Sequence, residues 1–220
     1  MKRVLNLVLG CKIGRYLEID IAAKETWATK IPENIKTIFM YGGGNGKIYW
    51  DGIDSFYVDR QESFDICPYK TICAYETFLE TDFDYIYRSN ATGYYDLNLV
   101  NEFLKDKPTK DFYCGVHGNL NGVDFASGSS YFLSKDLVEK IVKNKEILYN
   151  YNLPGWQDDV IIGKYMQSLG ISLNRSARRI DLIPEQITNE LDMSHYHYRI
   201  LNNGDAKSLY RIHELKCKNQ

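Results

Sequence analysis

Val4-Leu5-Asn6-Leu7-Val8-Leu9-Gly10 is the stretch on which the reading of this chain turns. It is apolar almost throughout, short, and closed by a glycine, the pattern of a strand buried on both faces. Met1-Lys2-Arg3 in front of it is basic. The apolar run is nevertheless too short and too interrupted for a membrane span, and no small-residue cleavage pattern follows it.

Working outward, Ile19, Ile21, Ala22, Ala23 and Trp27 fall at helical spacing within residues 16–29, ahead of Pro32. Residues 36–41 read as a second strand, closed by the glycine-rich stretch 42–46, and residues 48–58 hold one further short strand. A helix is predicted over 69–79, a third core strand over 85–87 and a short helix over 97–104. Residues 112–117 and 130–133 read as strands around a glycine-rich turn, and 137–148 and 160–169 as helices, the second stopped by Gly170. The end of the chain reads as irregular structure closing in a helix. This alternation predicts an α/β domain with a mostly parallel central sheet covered by helices on both faces. Ligands in such sheets bind beyond the carboxyl ends of the strands.

The chain has 220 residues, 44% hydrophobic and 25% charged, which fits one packed domain over 1–220. Its net charge of -2 offers no global basic field for nucleic acid. Five scattered cysteines with no CxxC spacing argue against a zinc ribbon and for reduced thiols in a cytoplasmic setting.

The rule about strand ends sorts the polar motifs. Asp82-Phe83-Asp84 has the D-x-D form of a metal site but precedes the strand at 85–87, at its amino end. Beyond that strand come Arg88, Asn90 and Thr92, which offer neutral oxygens where a hard cation prefers carboxylates. Gln157-Asp158-Asp159 opens a helix, where Asp serves as a cap and suits the dipole, and one of the pair is also placed to act as a general base. His195-Tyr196-His197-Tyr198-Arg199 puts two imidazoles on one side of an extended segment beside an arginine, a set suited to a metal and an anion. A solvated or stacked histidine is the commoner role for either alone.

In chain order these segments resemble the inverting glycosyltransferases of the beta-1,3-galactosyltransferase and Fringe family. Lys24-Glu25-Thr26-Trp27 is similar to that family's basic-x-Thr-Trp signature, and residues 36–42 look like its second strand. Tyr69-Lys70-Thr71-Ile72 resembles its Leu-Lys-Thr-Leu segment. Tyr85-Ile86-Tyr87-Arg88-Ser89-Asn90-Ala91-Thr92 stands where the family has a strand and an acidic metal triplet. Residues 125–134, around Ser127-Gly128-Ser129-Ser130-Tyr131, are similar to its Ser-Gly-x-x-Tyr-x-x-Ser segment, and Asp158-Asp159-Val160-Ile161-Ile162-Gly163 to its Glu/Asp-Asp-Val-x-x-Gly motif. The match runs over about residues 4–171, without the acidic triplet and without the anchor and paired cysteines of the animal enzymes.

The resemblance implies a GT-A-type, Rossmann-like fold with a nucleotide-sugar half at about 1–95 and an acceptor and catalytic half at about 96–220. It implies transfer from a nucleotide-diphospho-sugar, UDP-linked by analogy, to a hydroxyl of a glycan or glycoprotein, with Asp159 as base and Asp158 second. Gly10, Cys11, Lys24, Lys70, Arg88, Asn90, Thr92 and Arg199 are implied for the donor, and Gly128, Ser129 and Trp156 for the acceptor sugar. His197, Thr92 and His195 are implied for Mn2+ or Mg2+, bound weakly without donor. Compact unanchored forms with Arg-x-Asn in place of the triplet resemble those of large algal viruses and some bacteria. That implies a virus-encoded enzyme in the host cytoplasm and further domains of a longer polypeptide. Two other functions fit the residues less well. One is a sugar-nucleotide-binding module without catalysis. The other is a nucleotidyltransferase, of whose phosphate loop Cys11-Lys12-Ile13-Gly14-Arg15 is a poor version.

Overall fold

The computed structural model describes residues 1–151 and 155–218. The opening run forms β1 (Val4–Leu9), followed by α1 (Arg15–Glu25), a 3-10 turn (Trp27–Thr29) and β2 (Ile35–Tyr41). Two short strands, β3 (Tyr49–Trp50) and β4 (Ser55–Tyr57), stand where a single one is expected. Then come a 3-10 turn (Phe64–Ile66), α2 (Cys67–Phe78), β5 (Tyr85–Asn90), β6 (Gly93–Tyr95) and α3 (Leu97–Leu104). A long hairpin, β7 (Tyr113–Leu120) and β8 (Val123–Ser134), leads into α4 (Lys135–Lys143), α5 (Lys145–Asn150) and α6 (Asp158–Ser168). The chain closes with β9 (Arg179–Leu182), β10 (His197–Ile200) and α7 (Ala206–Lys218).

Seven strands form one sheet in the order β3-β4-β2-β1-β5-β8-β7, and three form a second in the order β6-β10-β9. The large sheet draws strands from both halves of the sequence. It is mixed rather than mostly parallel. β1 pairs parallel with β2 and β5, and β2 with β4, while β5–β8, β7–β8 and β3–β4 are antiparallel. At β7–β8 the departure arises at Asn121-Gly122, whose φ angles of 52° and 80° suit the two-residue turn that joins antiparallel strands. That Asn-Gly pair lies within the expected glycine-rich turn, and the strands run longer than expected, leaving only these two residues between them. The predicted helix over 137–148 is two helices, α4 and α5, parted at Asn144.

The β1 run works as expected. Val4 and Val8 pack into the layer holding α1, α3 and α7, and Leu5 and Leu7 into the layer holding α2, α4 and α6. Asn6, the interruption in that run, is fully buried and satisfied: its amide reaches Thr37 Oγ1 at 3.3 Å, and it accepts from Ser89 Oγ at 2.7 Å. It therefore links β1 to β2 and β5, three of the four parallel strands of the large sheet. Leu9 is level with Met40 and with Asn90, so three carboxyl ends open on one edge. Asp82 and Asp84 pair with Arg3 at the opposite edge, as expected for residues ahead of β5.

α6 lies close on β8 because Gly163 has no side chain. A Cβ there would meet Asp124 O at 2.7 Å and press on Phe125. Gly163→Ala should improve helix propensity yet lose more through overpacking, a net destabilisation of about 1–3 kcal/mol in urea unfolding. An unchanged midpoint would show that the helix approach is not set by this glycine.

Candidate functional site

A cleft of about 510 Å³ opens beyond the carboxyl ends of β1 and β5. The loop after β1 and the start of α1 form one wall, through Gly10, Cys11, Ile13 and Arg15. The turn into α2 forms another, through Glu62, Phe64, Cys67 and Lys70, and Asn90, Thr92 and Asn203 complete it. Five residues singled out in the sequence as donor ligands thus line one cavity: Gly10, Cys11, Lys70, Asn90 and Thr92. Gly10 is a glycine for a steric reason: a Cβ would meet Tyr41 Cε1 at 2.5 Å and Asp20 Oδ1 at 2.8 Å. Lys70 is buried and held by Gly10 O at 3.1 Å and Glu62 Oε1 at 2.7 Å. Arg15 stands exposed at the head of α1 and bonds Gly204 O.

Behind this cleft Arg88 is 2% exposed. Its guanidinium donates to Asn90 Oδ1 and Gly128 O, and to Asp158 Oδ1 at 2.8 Å. Asp158 Oδ2 accepts from Thr71 Oγ1 at 3.1 Å and Tyr131 OH at 3.0 Å. Both oxygens of this buried carboxylate are therefore engaged, and Arg88 underlies the cavity rather than lining it. Asp159 is placed differently. Its Oδ2 accepts from Gly128 N at 2.6 Å and its Oδ1 from Val160 N at 2.9 Å, leaving lone pairs on a partly exposed carboxyl. Burial first, then the neighbouring Asp158 charge, pushes its pKa up to about 6, against the pull of Arg88. A Cβ on Gly128 would come within 2.6 Å of Asp159 Oδ2. Arg88 thus joins the cleft, through Asn90, to the Gly128–Asp159 pair.

The histidines do not converge. His197 is fully buried in β10, with Nδ1 on Ser130 Oγ at 2.7 Å and its ring against Tyr95 at 4.7 Å. Its Nε2 has no hydrogen-bond partner among the described residues and lies behind Gly93, where a Cβ would stand 3.0 Å away. Burial, with Arg179 and Arg199 nearby, holds this imidazole neutral, well below the usual histidine range. His195 leans to Asp192 instead, 3.4 Å away. The expected pair on one side of an extended segment is absent because β10 starts only at His197. His197 and His195 thus have separate polar partners, Ser130 and Asp192. Among the described residues no three His, Cys, Asp or Glu side chains gather as ligands.

Three other expected residues lie off the cleft. Lys24 pairs with Asp54 at 2.9 Å and sits over the Phe39 ring. Arg199 pairs with Asp181 at 3.3 Å. Trp156 packs at the edge of the α2–α4–α6 layer. Ser129 turns its hydroxyl to Arg179 at 2.7 Å while Gly128 faces Asp159. Sequence reasoning missed Glu62, Phe64, Asn203 and Arg179. Only a contact map reveals them, whereas Arg15 carried a signal as a basic residue opening the helix after β1.

Compared with known proteins, the chain matches no family profile and no curated protein sequence. No helix among the described residues is long and apolar enough to cross a membrane.

The Arg88–Asp158 pair generates a stability prediction. Asp158→Ala strands a buried guanidinium and should cost about 3–5 kcal/mol in urea unfolding. Arg88→Met combined with Asp158→Leu should cost far less than the sum of the single changes, because no charge is left unpaired. Additive losses would show that the pair is not a coupled unit.

Proposed function

We propose that the chain is an inverting glycosyltransferase of GT-A type, which takes a sugar from a nucleotide-diphospho-sugar, UDP-linked in the first instance, and transfers it to a hydroxyl of a glycan or glycoprotein. The observation that carries this reading is the contrast between the two adjacent aspartates. Asp158 is consumed by Arg88, Thr71 and Tyr131, whereas Asp159, joined to the cleft only through Gly128, Arg88 and Asn90, keeps lone pairs beyond its two backbone N–H donors and a pKa pushed up to about 6. On this reading the donor diphosphate lies along the β1–α1 loop, near Arg15, Lys70, Asn90 and Thr92. The acceptor hydroxyl approaches Asp159.

The acceptor oxygen forms a bond to the anomeric carbon as the bond from that carbon to the diphosphate oxygen breaks, with inversion. The hydroxyl proton passes to Asp159. The charge released on the diphosphate meets the guanidinium of Arg15, the ammonium of Lys70 and the amino end of α1. The peptide bond to Gly128 fixes where the base sits, through its N–H. A divalent cation, Mn2+ or Mg2+, enters this proposal only as a companion of the donor, since the diphosphate supplies oxygens that His195 and His197 do not. A cytoplasmic, virus-encoded setting and further domains of a longer polypeptide belong to the same proposal.

Asp159→Asn should keep the fold and donor binding and lose about 10²–10⁴ in transfer or donor hydrolysis over a panel of UDP-sugars. A general base must be deprotonated, so the wild-type rate should rise with pH through about 6 and then level off. Wild-type turnover with neither feature would remove Asp159 from the chemistry. Donor binding without any turnover would favour the binding module. Manganese titrated calorimetrically into free protein should show weak binding that tightens when a bound UDP-sugar is present, and manganese should tighten the donor by the same factor. Equal donor affinity with manganese and with a chelator would eliminate the metal.

A further inference from the structure

Among the large apolar side chains left most exposed are Phe64, at 72%, and Ile13, at 56%, and both belong to the rim of the same cleft. Scattered exposed apolar residues need no explanation, but two that flank one cavity from different elements do. Ile13 rides on the loop after β1, just ahead of Gly14, whose φ of 57° turns the chain into α1. Phe64 opens the 3-10 turn that feeds α2, on the wall with Glu62, Cys67 and Lys70. Phe64 stacks on no other ring among the described residues, although rings elsewhere in the protein pack in continuous ladders such as Trp27–Phe39–Tyr41–Tyr57. The fold thus presents an aromatic face and a branched aliphatic face at the mouth of a cavity of ligand size. The lining also carries the cations of Arg15 and Lys70, the carboxylate of Glu62 and the neutral oxygens of Asn90, Thr92 and Asn203.

A flat ring with a charged tail matches that division. We propose that Phe64 and Ile13 clamp the base of a nucleoside diphosphate, whose phosphates extend toward Arg15 and Thr92. The inference rests on the nucleotide reading above and deepens it by assigning the base subsite. Stacking is tolerant of base identity, because every base has a π-face. The clamp therefore contributes affinity for the nucleotide, while any choice among bases is made by polar groups elsewhere. A lipid or alkyl occupant would use the same apolar pair but not Arg15.

The test compares UDP with inorganic diphosphate, which lacks base and sugar, by calorimetric titration of the wild type, Phe64→Ala and Ile13→Ala. Both positions are exposed, so both variants should fold. Phe64→Ala should weaken UDP roughly 5- to 150-fold, the range for losing one base–aromatic stack, and leave inorganic diphosphate unchanged. Ile13→Ala should show the same selectivity with a smaller loss. In Phe64→Trp, UDP should quench the new indole fluorescence and inorganic diphosphate should not. If the wild type binds UDP and Phe64→Ala binds it equally well, the clamp is wrong and the nucleotide reading stands. Equal weakening of UDP and inorganic diphosphate would also overturn it, since Phe64 would then shape the cavity rather than hold a base. If the wild type binds none of UDP, CDP, ADP and GDP, the nucleotide reading fails and the clamp fails with it.

Discussion

One buried guanidinium organises the region where chemistry is proposed. Arg88 leaves water almost completely, a costly step unless its hydrogens find good acceptors. They find them on three different pieces of chain: Asn90 at the end of β5, Gly128 in β8 and Asp158 at the head of α6. Asp158 in turn reaches Thr71 of α2 and Tyr131 of β8. A pair of well-packed apolar residues could supply as much stability. What the ion pair adds is direction, because each hydrogen bond fixes the placement of an element end as well as its proximity.

Glycines complete what the arginine starts. Gly163 brings α6 down onto β8, Gly128 leaves room for the Asp159 carboxyl, and Gly10 lets the β1 loop pass over Tyr41 and Asp20. Each occupies a site where one added carbon would collide with a neighbour. The absent side chains therefore shape the cleft edge as surely as the residues that line it. They also separate the two aspartates in role: one is drawn inward to Arg88, and the next, on the same helix turn, is left on a backbone amide. Partial burial, and after it the charge of the adjacent Asp158, then raise the pKa of the second.

Some of this was legible in the residues. The parallel strands β1, β2 and β5 were, because strands buried on both faces show as short apolar runs between glycine and helical segments. The rejection of Asp82 and Asp84 followed from their place ahead of β5. The small sheet was not legible, since β6, β9 and β10 are three or four residues long and show no period. With β10 went the fate of His197, whose partners Tyr95 and Ser130 come from distant parts of the chain. The antiparallel hairpin did carry a signal, Asn121-Gly122, which lies within the glycine-rich turn read between residues 117 and 130.

By itself, then, the sequence determined the strand–helix framework and which residues stand at the carboxyl ends of β1 and β5, because periodicity and chain direction are local properties. It also narrowed the candidate base to two neighbouring aspartates. Only the tertiary structure gave the two their different surroundings. That difference depends on Arg88 and Thr71, which stand 70 and 87 residues from Asp158 in the chain, and on Gly128, whose amide lies 31 residues from Asp159. No local pattern encodes a hydrogen bond across such separations. It appears only when β5, β8, α2 and α6 pack together and one carboxylate is enclosed while the next is left open.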